Sequence, residues 1–406
     1  MPPQRLSGTY TQQHRPHDRR PRVNRKVLYV HANSEEVGGA DYCLFKMALE
    51  MRSRGWAPSV VLRTRTRIVS LYEDEGIPLR LLPLVRVRKT TNPLKLVMYL
   101  VETAIAIKAL VAVIRAERPD IVHTNDLMDF PSNFAAYVAS VPSCQHVRMI
   151  VTRPAWLRKA LALISQTFST SILCVSRAVA DTLYGGASTR VQVLHDWLDM
   201  EATRQTSRGG CVREELELPT DSRIIACFGR LAWWKGQHVF LGAAETLLSD
   251  RPDVYALIVG GPTAGKEDYE ILLRRRHAES PFGSRVRLLG ERTDIASLMR
   301  QSDVVVHSSL TPDPLPGVVM EAMSQGSVVV AANAGGVPEE IVDGTGFLYA
   351  AGDRSDLARQ IGRALDTPNR DEIGAAAQKH VRATFAKAAI SLRLAVIYEN
   401  LAASAR

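Results

Sequence analysis

Short apolar runs recur along the chain with helix-spaced stretches between them, and this alternation predicts its architecture. In the first half the runs Lys26–His31, Val60–Arg63, Leu79–Leu82, Asp120–Thr124, His146–Ile150, Ile172–Val175 and Val191–Leu194 read as strands. The second half repeats the plan at Arg223–Phe228, Tyr255–Val259, Val286–Leu289, Asp303–His307 and Val328–Ala331. Helical patterns lie between several of them, notably Ala40–Arg54. Strand and helix in alternation predict an α/β fold of two doubly wound, Rossmann-like domains facing across a cleft, with ligands at the carboxyl ends of the strands. A length of 406 residues suits two domains of ordinary size.

The pattern also divides the chain. Residues 1–26 show no apolar period and read as a disordered basic tail; 27–198 form the first domain, 199–212 a polar linker, and 213–406 the second domain, with its last helix packing back toward the first. The segment Leu94–Ile114 is apolar and long enough to span a bilayer, yet Lys95, Glu102 and Lys108 interrupt it. It runs directly into Pro119–His123, a turn and a buried strand. A buried or interfacial helix is expected rather than a span.

Composition fits a folded soluble protein, with 46% hydrophobic and 23% charged residues. The five cysteines, at 43, 144, 174, 211 and 227, are odd in number and scattered without metal-ligand spacing. They read as reduced thiols of a cytoplasmic protein. Arg19-Arg20 is not followed by the apolar region an export signal needs, so no export is expected.

Charge is uneven. Residues 1–200 carry 27 basic and 16 acidic side chains and residues 201–406 carry 24 and 26, so the net +9 belongs to the first half. Arg63, Arg65 and Arg67 form one cluster and Arg86, Arg88 and Lys89 another. Both suit a phosphate-bearing acceptor or the anionic inner face of a membrane, with a solvated basic face as the plain alternative. Nucleic acid is not expected, because the basic runs lack interleaved aromatics. A nicotinamide-dependent oxidoreductase is disfavoured too, since no Gly-x-Gly-x-x-Gly follows either domain's first strand.

Two stretches of the second half carry the chemistry. Phe228-Gly-Arg-Leu-Ala-Trp-Trp-Lys-Gly236 sets Arg230 and Lys235 in a glycine-flanked turn, opened by Gly229, after an apolar strand. Asp313-Pro-Leu-Pro-Gly-Val-Val-Met-Glu321 places two carboxylates on either side of a helix start. Fixed cations and backbone N–H groups are what a site without a metal needs to stabilise a departing diphosphate. Arginine brings a planar fork and lysine a compact point charge. Pro314 and Pro316 have no N–H, so donation at this helix start falls to Leu315, Gly317 and Val318.

Together these stretches resemble the nucleotide-sugar signature of the family 4 retaining glycosyltransferases of the GT-B type. Val37-Gly38-Gly39-Ala40-Asp41 is similar to that family's glycine loop, and Cys174–Arg177, His195–Asp199, Leu289–Arg292 and Gly335–Glu339 match further pieces in order. The resemblance implies a donor held by the second domain. Arg230 and Lys235 would meet the diphosphate, Glu321 the ribose, Asp313 the sugar, and the backbone near Glu291-Arg292 the base. Two departures stand out. The family's His-x-His is here His123-Thr-Asn125, which puts at the sugar an asparagine that cannot shuttle a proton, and Asp196-Trp197 replaces the usual Asn-Gly.

What the resemblance implies is retaining transfer of a hexosyl group from a nucleoside-diphosphate sugar to a glycan or lipid-linked acceptor, in cell-surface polysaccharide or glycolipid biosynthesis. Neither a metal nor another cofactor is expected, and the expected location is cytoplasmic, with peripheral contact at the inner face of the membrane as an option. A sugar-nucleotide epimerase of the same fold and a non-catalytic glycan-assembly partner remain as alternatives.

Overall fold

Two parallel sheets, each covered by helices, organise the computed structural model, which describes residues 25–34, 37–85, 92–199, 210–262, 265 and 267–404. The first sheet contains β1 (Arg25–His31), β2 (Trp56–Leu62), β3 (Leu79–Leu81), β4 (Ile121–Thr124), β5 (Ser143–Val147), β6 (Ser171–Cys174) and β7 (Val191–Val193), in the order β3-β2-β1-β4-β5-β6-β7. The second contains β8 (Arg223–Phe228), β9 (Val254–Val259), β10 (Val286–Gly290), β11 (Val304–His307), β12 (Val328–Ala332) and β13 (Phe347–Tyr349), in the order β10-β9-β8-β11-β12-β13. Helices on both faces explain why central strands are apolar throughout: Val27 to Val30 of β1 and Val328 to Ala332 of β12 are all buried.

Strand order reverses between β1 and β4 in one sheet and between β8 and β11 in the other. At such a switch point the loops leaving neighbouring strands diverge and open a crevice at the carboxyl edge. The glycine loop follows β1, Asn125 follows β4, Arg230 and Lys235 follow β8, and Asp313 follows β11. Topology alone thus delivers the candidate residues to two facing crevices.

The structure corrects three sequence expectations. The strand expected at His146–Ile150 is Ser143–Val147, because its polar residues are disguised by internal bonds. Gln145 donates to the carbonyls of Asp126 (3.1 Å) and Leu127 (3.3 Å) and accepts from Ser165 and Ser169, which lets an amide sit fully buried in a strand. The edge strand β13 was not expected.

The third correction concerns the apolar segment, which lies within a 25-residue helix, Pro93–Glu117, capped by Asn92 accepting from the Leu94 (2.9 Å) and Lys95 (3.3 Å) N–H groups. It is not a buried helix. Ala106, Leu110 and Ile114, four residues apart, are buried, whereas six large apolar residues between Leu94 and Ile105 are exposed. A sequence that is apolar all round carries no period to show which face is covered. The basic tail, apart from Arg25 and Lys26, lies outside the described residues, as do most of the linker and the cluster Arg86, Arg88 and Lys89.

The closing helix, Lys387–Ser404, lies against the first domain. Its Ser391 accepts from Arg54 Nη2 (2.7 Å), Lys387 pairs with Glu50 (3.3 Å), and the Tyr398 hydroxyl meets His123 Nδ1 (2.7 Å). Burial pushes the His123 ring well below its ordinary value, so it stays neutral as a structural partner of Tyr398. Leu394 is the apolar anchor of this seam and Leu392, two residues away, faces solvent. Leu394→Ala is expected to cost about 2–5 kcal/mol in urea denaturation, and Leu392→Ala to stay within roughly 0.5 kcal/mol of the parent.

Candidate functional site

The glycine loop is held by a buried charged cluster. Asp41 Oδ2 accepts from the Gly38 N–H (2.8 Å), and its other oxygen lies 3.5 Å from His31 Nε2. His31 Nδ1 in turn meets Asp129 (3.0 Å), which also accepts from the Ala32 N–H (3.0 Å). Burial alone would lower the His31 ring, but Asp129 and Asp41 outweigh it and hold the imidazole above its ordinary value. The His31–Asp129–Asp41 group therefore fixes the turn in which Gly38 and Gly39 start the helix Gly39–Ser53.

Behind that loop sits Asn125. It is fully buried, donates to Ala40 O (3.2 Å), and accepts from Arg148, whose guanidinium also forks onto Asp196 (2.8 and 3.2 Å). The sequence placed Asn125 at the reacting sugar. In the structure both ends of its amide are engaged inside the first domain, so it positions the loop. Asp196, the departure from Asn-Gly, is what holds Arg148.

On the facing edge, the chain leaves β8 through Gly229, whose φ of 139° lies in the range that favours glycine, and swings out to Arg230. A methyl group at Gly38 would sit 3.8 Å from Arg230 Nη2, so the arginine reaches across the gap to the opposite loop. Lys235 turns inward and pairs with Asp313 at 2.6 Å, with His307 Nε2 another 3.8 Å from the same carboxylate oxygen. Burial would raise the Asp313 carboxyl, but His307 and Lys235 together hold it well below the ordinary carboxylate range. Asp313 is an anion in this site.

Two glycines keep that carboxylate in place. Side chains at Gly335 and Gly336 would collide with the Asp313 and Pro314 carbonyl oxygens, and the Gly336 N–H donates to Asp313 O (2.9 Å). Leu315 is buried, and the helix Gly317–Ser324 begins at Gly317 and Val318 without a side-chain cap. The Val319 N–H donates to Pro316 O (2.9 Å), and a helix start of this kind favours an anion. Glu321 lies one turn on, with Oε1 3.9 Å from where a Gly317 Cβ would stand. Burial pushes its carboxyl up, and the charge of Lys46, from the first domain, pulls it part of the way back.

Arg292 is less available than its place in the sequence suggested. Its guanidinium bonds Glu215 (2.5 and 2.9 Å) and Asp294 (2.9 Å at both oxygens), which leaves the backbone of this turn as the part free of those pairs. Among the described residues no three His, Cys, Asp or Glu side chains converge as metal ligands.

Sequence reasoning missed a second link between the domains, beyond the closing helix. Glu339, three residues beyond the Gly335-Gly336 pair, accepts from the Arg177 (2.9 Å) and Ala178 (3.0 Å) N–H groups at the start of the first-domain helix Arg177–Tyr184, and meets His195 Nε2 (3.1 Å). The pieces Cys174–Arg177, His195–Asp199 and Gly335–Glu339 were each legible, but their partners lie 144 and 162 residues apart in sequence. A carboxylate at a foreign helix N-terminus leaves no local signal.

Comparison with known proteins places this geometry. Residues 212–380 match the family profile described as "Glycosyl transferases group 1", and residues 38–197 match the one described as "Glycosyl transferase 4-like domain". The chain is 33% identical over 196 residues to the D-inositol 3-phosphate glycosyltransferase of Corynebacterium diphtheriae, covering 47% of this chain and 45% of that protein. For the Streptosporangium roseum protein of the same name the figures are 30% over 230 residues, 55% and 52%. The matches thus span about half the length of these curated relatives. Among solved structures, the Anabaena protein HepE in complex with UDP-glucose superposes with a TM-score of 0.77 at 26% identity, over 92% of this chain and 99% of that one. Sucrose-phosphate synthase from Thermosynechococcus elongatus, at 16% identity and a TM-score of 0.72 over 94% of this chain and all of that one, shares the fold.

The Glu339 contact carries a pH signature. Burial would raise its carboxyl, but His195 and the two N–H groups outweigh this and hold it below the ordinary glutamate value. Its stabilisation is therefore complete above the ordinary range and fades as pH falls through the lowered value. Glu339→Ala is expected to cost about 1–3 kcal/mol near neutral pH, since it leaves a helix start and His195 without their partner. The variant and parent should converge in urea titrations at acid pH; a gap that persists there would remove the carboxylate's role.

Proposed function

Because the chain belongs to these two-domain glycosyltransferases of the GT-B type, we propose that it transfers a hexosyl group, with retention, from a nucleoside-diphosphate sugar to a glycan or lipid-linked acceptor in cell-surface polysaccharide or glycolipid biosynthesis. The observation that carries this reading is the convergence of Arg230, Lys235 and the open start of helix Gly317–Ser324 on one edge of the gap, with Glu321 one turn away. Three cationic or N–H sources beside two carboxylates suit a ligand with an anionic diphosphate flanked by hydroxyl-bearing sugars. The nucleotide in HepE supports a uridine diphosphate donor here.

In this reading the donor's diphosphate lies between Arg230, Lys235 and the N–H groups of Gly317 and Val318. Lys235 shares its charge between the phosphate and Asp313, which stays beside the sugar. Glu321 accepts from the ribose hydroxyls, and the backbone at Glu291-Arg292 meets the base. The bond from the anomeric carbon to the β-phosphate oxygen breaks as the acceptor hydroxyl attacks from the same face, and the departing phosphate oxygen takes the acceptor proton. The negative charge that builds on that oxygen is what Arg230 and Lys235 stabilise more strongly in the transition state than in the ground state.

Incubation with UDP-sugars, with and without a glycolipid extract, tests the reaction. Transfer should require the extract; interconversion of the donor without it would indicate an epimerase, and no turnover of any nucleotide sugar would remove the enzymatic reading. Arg230→Ala and Lys235→Ala should each lower turnover by roughly 10²–10³-fold with unchanged circular dichroism. Asp313→Asn should reduce turnover more than donor affinity. Ionised Glu321 is the stronger acceptor, so calorimetric donor affinity should weaken as pH falls through its raised value, earlier than for an ordinary carboxylate. Glu321→Gln should bind more weakly and lose that dependence.

A further inference from the structure

The exposed half of the helix Pro93–Glu117 stands out from the rest of the surface. Its large apolar side chains, Leu94, Val97, Met98, Leu100, Val101 and Ile105, each have more than half of their surface in solvent, and they lie within twelve consecutive positions. By length and composition the segment Val97–Glu117 could cross a membrane, yet just 17% of its most apolar window is buried within the protein. A surface helix normally turns its polar side outward. A run of exposed large apolar side chains marks a surface that is covered in use.

The direction of the helix places that patch. Its last residue lies at the amino edge of the first sheet, where Lys26 Nζ donates to Glu117 O (3.2 Å) and the Lys26 N–H to Asp120 (2.8 Å). A 25-residue helix is about 37 Å long and a seven-residue strand about 23 Å. Its first turns therefore overhang the carboxyl edge, the edge that also carries the glycine loop and faces Arg230. Arg63 and Arg65 leave β2 at the same edge, with Arg65 largely exposed beside Glu73. Lys95 adds a charge within the patch, and only Glu102 opposes it there. The helix Phe130–Val138 packs between the long helix and Ala155–Phe168, whose first turn, again at the carboxyl edge, exposes Trp156 to 70% beside Arg153, Arg158 and Lys159.

An apolar helix with arginines, lysines and an exposed tryptophan at the same edge of the sheet matches the composition of an element lying in the headgroup region of an anionic bilayer. We propose that the first half of the helix Pro93–Glu117, with the basic residues at the carboxyl edge of the first sheet, docks this protein onto an anionic membrane surface. The apolar side chains enter the acyl boundary and the cations meet lipid phosphates. Docking in this orientation sets the mouth of the gap at the membrane plane, where an acceptor anchored in lipid is presented; that last step rests on the transferase reading, whereas the docking itself does not.

Vesicle flotation tests the docking without any measurement of activity. The full chain should float with vesicles of phosphatidylglycerol and phosphatidylcholine in equal parts, bind pure phosphatidylcholine far less, and detach as salt rises because the charged contribution is screened. Replacing Leu100, Val101 and Ile105 together with glutamine should lower partitioning by roughly tenfold or more. These exposed positions should leave thermal melting and nucleotide binding unchanged. Lys95→Glu with Arg158→Glu should weaken binding to the anionic vesicles alone. Equal flotation of the parent and the triple-glutamine variant would overturn the proposal. So would light scattering showing a dimer that the triple change dissolves, with no vesicle binding by the parent, since a second copy would then be what covers the helix.

Discussion

The ion pair between Lys235 and Asp313 is the contact on which the rest of the site depends. It joins the loop leaving β8 to the loop leaving β11 on the two sides of the switch point, and so fixes the width of the second domain's crevice. A buried carboxylate would by itself lose its charge; with Lys235 and His307 beside it, Asp313 keeps it. The glycines at 335 and 336 admit the loop's carbonyls, and three residues later Glu339 ties the same segment to the first domain. Placement of the carboxylate and placement of the opposing domain are thus one mechanical unit.

The two domains use different physics at the gap. On the first-domain side, charge is spent on holding backbone: His31, Asp41 and Asp129 fix the glycine loop, and Asn125, Arg148 and Asp196 brace it from behind. On the second-domain side, charge faces the gap through Arg230 and Glu321, supported by uncapped N–H groups. Under the proposed transferase function, this division would set a fixed wall opposite an electrostatically prepared cradle for the donor. The neutral, buried His123 shows the same economy, since its partner is the closing helix and its role is to hold that helix to the sheet.

Much of this was legible in the sequence, for identifiable reasons. Strands such as Arg223–Phe228 are apolar from end to end and bounded by glycine, so their existence and place follow from pattern alone. Arg230, Lys235, Asp313 and Glu321 stand at fixed offsets from those strands, which is why local spacing finds them. Ser143–Val147 was displaced because the hydrogen bonds that bury Gln145 come from residues up to 24 positions away. Glu339 and Lys46 escaped for the same reason in stronger form, since each acts on a group in the other domain. The face of Pro93–Glu117 that meets solvent could not be read either, because a helix apolar on every side reveals its orientation only through its neighbours.

Hydrogen-exchange mass spectrometry of the protein with and without UDP tests the central claim, that the second domain's edge is a nucleotide-diphosphate cradle. Slowed exchange is expected in peptides covering 228–237 and 313–321, where backbone N–H groups would be newly bonded or covered, with smaller changes around 290–292 and little in the strands behind. Protection absent from both of the first two segments at saturating nucleotide, or confined to the first domain, would contradict the account.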